Sequence, residues 1–567
     1  MSARSEKALF LAVLAIPLLG GGAQAALTWN NSGYDFNASA SWTGTLAANQ
    51  TAGFPSSPSK QPNLSANFSM LGVSFPSTTV SGYDITATSP FALTLTTTTT
   101  TATSGAISGA NTTGTNIIDA PLILGAGNGA TQSFYQAPGG ILVVNGAISS
   151  TNSVSLKITG TTSTTKRSVV TLAGANSYSG GTTLDGVSTL NINNGGTGGT
   201  SSSLGTGDFI WSNGGIVDNT SGSRVTLSTN KNVTLSGITG TYVFTGSDDL
   251  NFGSGTVAVN NSVLLRNNSA TGKTLTFGSL INNKTGSGIS LSVYGASNAP
   301  VVFGGFTLNN MGNSGLTHTV SGTGSVKFAG VISDGNVAGN SLTYKGTGLL
   351  QLEGANTYTG NTVIDSGTVQ LDGSTTGQGN FVVQTGTGAT VAPKLTGTGT
   401  IGLASGKSLL VMGGYNGASV PYLATVAPGD TSTTSATLSV GTDSTNKVTF
   451  GDSSVLAIDI NADATDELAI TGDLDLSSTS DKLLINTTGE QSLAHYVFAT
   501  YSGSLTSTFA IVTYNGGSLP GNLTIDYLTN HEIALVNLDI IPEPVGISLL
   551  LGIAGAGLLR RRRSRRA

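Results

Sequence analysis

Hydrophobic and polar residues alternate along this chain in short runs separated by glycine, asparagine and serine. Residues 289–293 read Ile-Ser-Leu-Ser-Val, residues 325–328 read Ser-Val-Lys-Phe, and such runs recur roughly every 16 to 35 residues. Alternation with a period of two is typical of β-strands with one buried face, and the flanking residues are typical of turns. Long stretches with apolar residues three or four positions apart, bounded by helix-capping residues, are nearly absent from the sequence. We therefore predict an all-β fold.

One segment recurs at a distance of 180 residues. Residues 172–185 read LAGANSYSGGTTLD and residues 352–365 read LEGANTYTGNTVID, and eight of the fourteen positions are identical. Internal similarity of this kind is typical of proteins built from stacked repeats. The clear copies lie near residues 170–195 and 350–373.

The second copy has the pattern of one coil of a solenoid. Leu350 and Leu352 point to one strand face, and glycine and asparagine then allow the chain to turn. From Leu352 to Leu371 is nineteen residues, enough for a three-sided coil. We therefore expect a β-solenoid over residues 26–425. At about 20 residues per coil, the roughly 500 residues of the exported body would give about 25 coils stacked over about 120 Å.

The repeated segment resembles the autotransporter-associated β-strand repeat. The second copy matches the family pattern at ten positions between Leu352 and Val369, whereas the first copy has Val187 at the position of Gly367. The resemblance implies a right-handed parallel β-helix and a passenger exposed on a bacterial surface. It also marks the repeat-turn residues Gly174, Asn176, Tyr178, Gly180, Gly354, Asn356, Tyr358 and Gly360. We expect residues 426–540 to form a C-terminal β region that continues or closes this solenoid.

The N-terminus carries an export signal. Arg4 and Lys7 precede an apolar stretch over residues 8–19, and Ala23 and Ala25 form a small-x-small cleavage site. This layout predicts a signal peptide over residues 1–25, with a signal helix that is cut after Ala25. The alternative is an N-terminal membrane anchor, for which the apolar stretch is short.

The C-terminal residues 541–567 have three parts. Pro542, Glu543 and Pro544 precede fifteen uncharged residues, which are followed by Arg560, Arg561, Arg562, Arg563, Arg565 and Arg566. An apolar run closed by a basic cluster predicts a single membrane helix whose arginines stop transfer and remain in the cytoplasm. The layout resembles the PEP-CTERM sorting signal. That resemblance implies transient anchoring in the inner membrane, cleavage by an exosortase-type membrane protease, and release to the envelope surface or extracellular matrix.

Composition narrows the class of protein. Cysteine is absent, so disulfides and thiolate metal sites are excluded, and a hydrophobic content of 38% argues against global disorder. Apart from Arg4, Glu6, Lys7 and the six C-terminal arginines, the chain has 15 basic and 27 acidic residues, a charge of about −12. Nucleic acid is not an expected partner, because its binding requires basic clusters.

Few residues offer catalytic or metal chemistry. His318, His495 and His531 are widely separated and lie in no catalytic motif. The best metal candidates are Asp459, Asp463 and Asp466, whose oxygens suit calcium but whose spacing matches no known calcium loop. The sequence therefore predicts no catalytic residue and no cofactor.

These features predict a structural or adhesive protein of the cell surface or extracellular matrix. Its hydroxyl-rich surface suits weak, repeated contact with an extracellular polysaccharide or matrix partner. The alternative is a polysaccharide lyase or hydrolase built on the same β-helix, which requires carboxylates that converge on one groove.

Overall fold

The computed structural model describes residues 27–98, 105–237, 240–312, 315–415, 421–429, 435–527 and 530–539. These residues form a parallel β-solenoid of about 18 turns with almost no helix. The predicted all-β parallel solenoid is therefore confirmed, whereas its right-handed sense stays a prediction. The signal helix predicted in residues 1–25 and the membrane helix predicted in residues 541–567 lie outside the described residues.

Most coils contribute a strand to each of three faces, and the strands of a face pair with those of the coils above and below. In the described ranges, no helix combines the length and apolar character that a membrane crossing requires. The one helix there is the 3-10 turn Ser39–Ser41.

Face 1 consists of Leu27–Trp29, Thr51–Gly53, Gly72–Phe75, Ile107–Gly109, Thr131–Gln136, Ser155–Thr159, Thr182–Leu184, Phe209–Ser212, Val233–Ser236, Val257–Val259, the second halves of Leu275–Asn282 and Val301–Asn309, Ile332–Gly335, Ala355–Asn356, Ser374–Gln378, Thr400–Leu403, Thr437–Val440, Glu467–Ile470 and His495–Tyr501. Face 2 consists of Asn63–Leu64, Asp84–Ala87, Thr115–Ile118, Ile141–Val144, Ser168–Leu172, Ser188–Ile192, Ile216–Asp218, Gly240–Phe244, Val263–Asn267, Ser290–Gly295, Thr317–Ser321, Ser341–Tyr344, Thr362–Ile364, Phe381–Gln384, Ser408–Met412, Lys447–Phe450, Asp473–Asp475 and Leu505–Thr506. Face 3 consists of Phe68–Met70, Leu93–Leu95, Leu122–Leu124, Ile148–Ser150, Val225–Thr226, Leu250–Asn251, the first halves of Leu275–Asn282 and Val301–Asn309, Val326–Phe328, Leu349–Leu352, Thr368–Leu371, Lys394–Gly397, Ala424–Pro428, Ser454–Asn461, Lys482–Thr488 and Ile511–Tyr514.

Four further strands pair antiparallel, and three of them lie at the two ends of the solenoid. Trp42–Thr43 pairs with Leu27–Trp29 at the start. Glu532–Asn537 pairs with His495–Tyr501 on one side and with Leu523–Asp526 on the other, which closes the C-terminal end of face 1. The fourth strand, Ala464–Thr465, folds back on Ser454–Asn461 within one coil.

Alternation along the strands places one set of side chains in a continuous core. The inward residues of successive coils stack directly on one another, because parallel strands in register keep equivalent positions about 4.8 Å apart. Phe252, Phe277, Phe303 and Phe328 form such a stack, with ring centroids 5.1, 5.5 and 5.6 Å apart. Stacked burial of this kind explains how a chain without disulfides holds a long fold together.

Coil length varies more than the sequence pattern indicates. The nineteen-residue coil predicted from the second repeat is present, because Leu352 pairs with Leu371. Elsewhere the coils are longer, and Val73 pairs with Ile107 after 34 residues. The expectation of about 25 coils is therefore wrong: insertions at the corners leave about 18 turns, a stack of about 85 Å.

The two repeat copies occupy different faces. The first copy begins with Ser168–Leu172 on face 2 and continues to Thr182–Leu184 on face 1. The second begins with Leu349–Leu352 on face 3, and its equivalent continuation, Thr362–Ile364, lies on face 2. The repeat therefore specifies a strand, a short segment on the following face and the strand after it, without specifying which side of the solenoid they occupy.

Aromatic residues cover the N-terminal end. The rings of Trp29 and Trp42 pack nearly perpendicular to each other with their centroids 5.1 Å apart, and Phe36 and Phe54 pack against both. The Trp42 indole N–H donates to the Phe36 carbonyl over 2.8 Å, so its polar atom is satisfied while its ring is buried. This cluster covers the first coil, whose strand edges would otherwise be open.

Candidate functional site

Glycine lies at the corner between faces 3 and 1 in seven successive coils. A Cβ on Gly354 would overlap the carbonyl group of Gly330 in the preceding coil, and Gly373 has the same relation to Gly354. Since neither Gly354 nor Gly373 has a positive φ, the requirement is close backbone approach. We call the series the glycine column; its members are Gly255, Gly278, Gly304, Gly330, Gly354, Gly373 and Gly399.

The other repeat glycines serve the same purpose at other corners. In the first copy, a Cβ on Gly174 would overlap the Gly146 carbonyl. Gly180 and Gly360 lie equally close to backbone atoms of the preceding coil. All four predicted turn glycines are thus explained by contact between coils.

The repeat asparagines join neighbouring coils through buried side chains. Asn176 accepts a hydrogen bond on Oδ1 from the Ile148 N–H at 2.8 Å and donates from Nδ2 to the Ser203 carbonyl at 2.7 Å. Asn356 accepts from the Ile332 N–H at 2.9 Å in the same way. Each amide therefore satisfies a backbone donor at a corner where the regular ladder is interrupted.

The repeat tyrosines are buried and hydrogen-bonded. The Tyr178 hydroxyl lies 2.6 Å from Thr182 Oγ1, and the Tyr358 hydroxyl lies 2.5 Å from Thr362 Oγ1. Burial raises the pKa of Tyr178 and raises that of Tyr358 to about 12. Both phenols therefore remain neutral at physiological pH, and the tyrosine–threonine pair is a structural bond inside the corner.

The outward side chains of face 2 form an uncharged row over seven coils. Adjacent members are register partners in paired strands, so they recur once per coil. The members of this outer row are Ser290, Thr319, Thr343, Val363, Val382, Leu410 and Thr449. Apart from Thr343, which is buried, the row presents hydroxyl and aliphatic groups at the coil spacing of about 4.8 Å.

The acidic C-terminal stretch is spread over separate contacts. Asp459 accepts from the Asn486 amide at 2.9 Å, and Asp463 accepts from the Ser492 N–H at 2.9 Å and its hydroxyl at 2.7 Å. Asp466 accepts from the Ala436 N–H at 3.2 Å. Each carboxylate thus bonds to a different neighbouring segment. Among the described residues, no group of three or more His, Asp or Glu is placed to hold a metal ion.

The three histidines lie in different environments. His318 is fully buried against Phe306, at a ring distance of 5.4 Å, and burial lowers its pKa to about 4. His531 packs against Tyr501, and His495 is exposed at the start of its strand. His495 and His531 lie at opposite ends of the strand His495–Tyr501, and His318 lies in Thr317–Ser321 on face 2 of a different coil, so the structure does not bring the three into one site.

The sorting and processing residues lie outside the described residues. These are Ala23, Ala25, Pro542, Glu543, Pro544 and the six arginines Arg560, Arg561, Arg562, Arg563, Arg565 and Arg566. Their assignments stay predictions from the sequence.

A groove on the solenoid surface is a feature that the sequence reasoning missed. It has a volume of about 460 Å³ and lies across three coils at the corner of faces 3 and 1, where Gly253, Gly278 and Gly304 contribute no side chains. In the sequence, the groove could have been predicted from the recurrence of these glycines after 25 and 26 residues, a spacing of about one coil. Its polar lining comes from Asn251, Ser254, Thr276 and Ser279.

Comparison with known proteins supports the repeat assignment. The family model described as passenger-associated-transport-repeat matches residues 169–186 and 342–371, the regions of the two sequence repeats. No curated protein matches the chain. The matched repeat and the β-helix together suggest an exported, surface-exposed, passenger-like protein. They are consistent with a structural or passenger role.

Proposed function

We propose that this protein is an exported structural and adhesive element of the bacterial cell surface or extracellular matrix. The observation that carries the proposal is the combination of the matched repeats with a solenoid whose coils stack closely at the glycine column, over seven successive coils. Such a fold gives a long, regular body with many equivalent outward positions. The outer row of face 2 offers hydroxyl and aliphatic groups in place of a single reactive centre, which suits repeated weak contacts.

We further propose that the C-terminal tail directs sorting. Pro542, Glu543 and Pro544 stand before the uncharged run 545–559 and the arginine cluster, an order that fits recognition by an exosortase-type protease after export. The protein is then held in the inner membrane only until cleavage. Release to the envelope surface or matrix follows.

Mass determination of both ends of the exported protein tests the sorting proposal. We expect a mature N-terminus at Ala26 and a C-terminus upstream of Arg560 in the processed product. Substitution of Pro542 and Glu543 by alanine is expected to leave the protein in the membrane fraction. The matched control is Pro520→Ala, an exposed proline of the solenoid. Surface protein that still ends at Ala567 contradicts cleavage.

Binding and turnover assays test the adhesive role. We expect the processed protein to be retained by isolated matrix polysaccharide, and to release no new chain ends from a broad panel of glycans. Retention without turnover supports an adhesive element. Steady release of products would instead favour the polysaccharide lyase or hydrolase.

A further inference from the structure

We infer that the groove at residues 251–304 binds a segment of a neutral polysaccharide. This inference names a ligand class for the adhesive role and therefore rests on the proposed function. In this region the chain passes from face 3 to face 1 within the continuous strands Leu275–Asn282 and Val301–Asn309. The bends at Gly278 and Gly304 lack side chains, so a groove runs across the coils instead of a ridge.

The polar groups of the groove are held at regular positions. Asn251 and Thr276 are register partners on paired strands, so they are separated by one coil step of about 4.8 Å. The Asn251 Oδ1 accepts from the Gly253 N–H at 2.8 Å, which fixes the orientation of the side-chain amide. Within the described part of the chain, its Nδ2 has no protein acceptor. The hydroxyls of Ser254, Thr276 and Ser279 have no protein partner there either.

The floor of the groove is rigid. Phe277 is 2% exposed and lies within the stack of aromatic rings, 5.1 Å from Phe252 and 5.5 Å from Phe303. A ligand therefore meets a preformed surface, which reduces the entropy cost of binding. Three coils span about 10 Å, which is enough for a short stretch of a sugar chain.

The chemistry of the lining selects a neutral ligand. The lining residues are Asn, Gly, Ser, Thr and Phe, so no charged side chain contributes to it. Amide and hydroxyl groups bond sugar hydroxyls, and the glycine carbons at the bends leave room for the apolar face of a sugar ring. Without the N-terminal signal residues and the C-terminal arginines, the protein has a net charge of about −12, which repels polyanionic uronates. A neutral hexose polymer therefore fits better than an acidic one.

Binding of defined oligosaccharides to the processed, exported protein tests this inference. The probes are a neutral cello-oligosaccharide and a polygalacturonate fragment of equal length, measured by calorimetry. We expect the neutral probe to bind and the acidic probe to bind at least about tenfold more weakly, a difference of about 1.4 kcal/mol. The triple variant Ser254→Ala, Thr276→Ala, Ser279→Ala is expected to lose about tenfold or more in affinity.

A matched control separates the groove from the general surface. Thr307→Ala with Ser333→Ala removes two outward hydroxyls of face 1 and is expected to leave affinity within about twofold. Equal losses in both variants, or equal binding of both probes, would overturn the inference. Absence of neutral-glycan binding by a protein that still reaches the surface would also overturn it, while leaving the proposed surface role intact. Circular dichroism of each variant checks that the solenoid is retained.

Discussion

At the scale of single residues, close packing between coils explains most of the repeat. Glycine is required at the corners because the backbone of one coil lies against the carbonyl groups of the previous coil. Asparagine and tyrosine then satisfy the polar groups that the corner leaves unpaired. The repeat residues are thus structural, and substitutions there are expected to change stability before they change any binding property.

Gly354→Ala is expected to destabilise the second repeat. The new Cβ would overlap the Gly330 carbonyl, and backbone atoms on both sides limit relaxation. The expected loss in the free energy of unfolding is roughly 1–3 kcal/mol, measured by denaturant titration. Gly127→Ala is the matched control, since its Cβ meets no atom within 4 Å, and it is expected to change stability by less than about 0.5 kcal/mol. Equal effects of the two substitutions would contradict the packing explanation.

His318 is expected to make the fold sensitive to acid. Its pKa is about 4 in the folded chain against 6.5 in the unfolded chain, so the unfolded state takes up the proton first as pH falls. Stability is therefore fully present above about pH 6.5 and decreases between there and about pH 4, by on the order of 3 kcal/mol.

Thermal unfolding between pH 7 and pH 4 measures this effect. His318→Leu is expected to reduce the loss of thermal stability between pH 7 and pH 4, because it removes the buried titrating group. His495→Gln is the matched control, since that histidine is exposed. An unchanged pH dependence in His318→Leu would assign the acid sensitivity to other groups.

At the scale of elements, the unit of this fold is one coil in register. The second repeat closes its coil in nineteen residues, and Leu352 and Leu371 occupy equivalent positions on face 3. Each coil contacts mainly its neighbours, so a whole coil can in principle be removed without disturbing distant ones. Removal of only part of a coil is expected to disturb the fold, because the strands that follow the deletion would shift to the wrong face.

Deletion of residues 353–371 is therefore expected to give a folded, shorter solenoid. Leu352 then takes the place of Leu371, and Leu349–Leu352 pairs directly with Lys394–Gly397. Deletion of residues 353–362 is the matched control, since it removes about half a coil and breaks the register. Circular dichroism and the thermal midpoint are the measurements. Similar behaviour of the two deletions would show that register does not govern folding here.

At the scale of the whole molecule, the ends of the solenoid require protection. The N-terminal coil is covered by Trp29, Phe36, Trp42 and Phe54, and the C-terminal end of face 1 is closed by antiparallel strands. An uncovered end presents open strand edges and apolar core, both of which promote association between chains. Protection of the ends therefore contributes to solubility as well as to stability.

Trp42→Ala is expected to open the N-terminal end. It removes a buried ring that contacts three other aromatic rings, at an expected cost of roughly 3–5 kcal/mol. Light scattering and thermal unfolding are expected to show association and a lower midpoint. Tyr34→Ala is the matched control, since that ring is 60% exposed in the same region. A monomeric Trp42→Ala protein of unchanged stability would exclude a capping role.

Much of the fold could be predicted from the sequence because strand periodicity and turn residues are local properties. The second repeat gave the length of its own coil correctly, since Leu352 and Leu371 mark equivalent strand positions. The number of coils was wrong because corner insertions, such as the one between Val73 and Ile107, are not constrained by the strand pattern. The groove was missed because it depends on glycines in three different coils.

The sequence by itself determined which residues face the core and where the chain turns, because alternation and glycine act within a few neighbouring residues. It also determined that the corner of each repeat contains asparagine and tyrosine. Only the tertiary structure decided which backbone groups those residues contact, and that the two repeats lie on different faces. Stacking brings together residues separated by whole coils of unequal length, and such distances are not written in any local pattern.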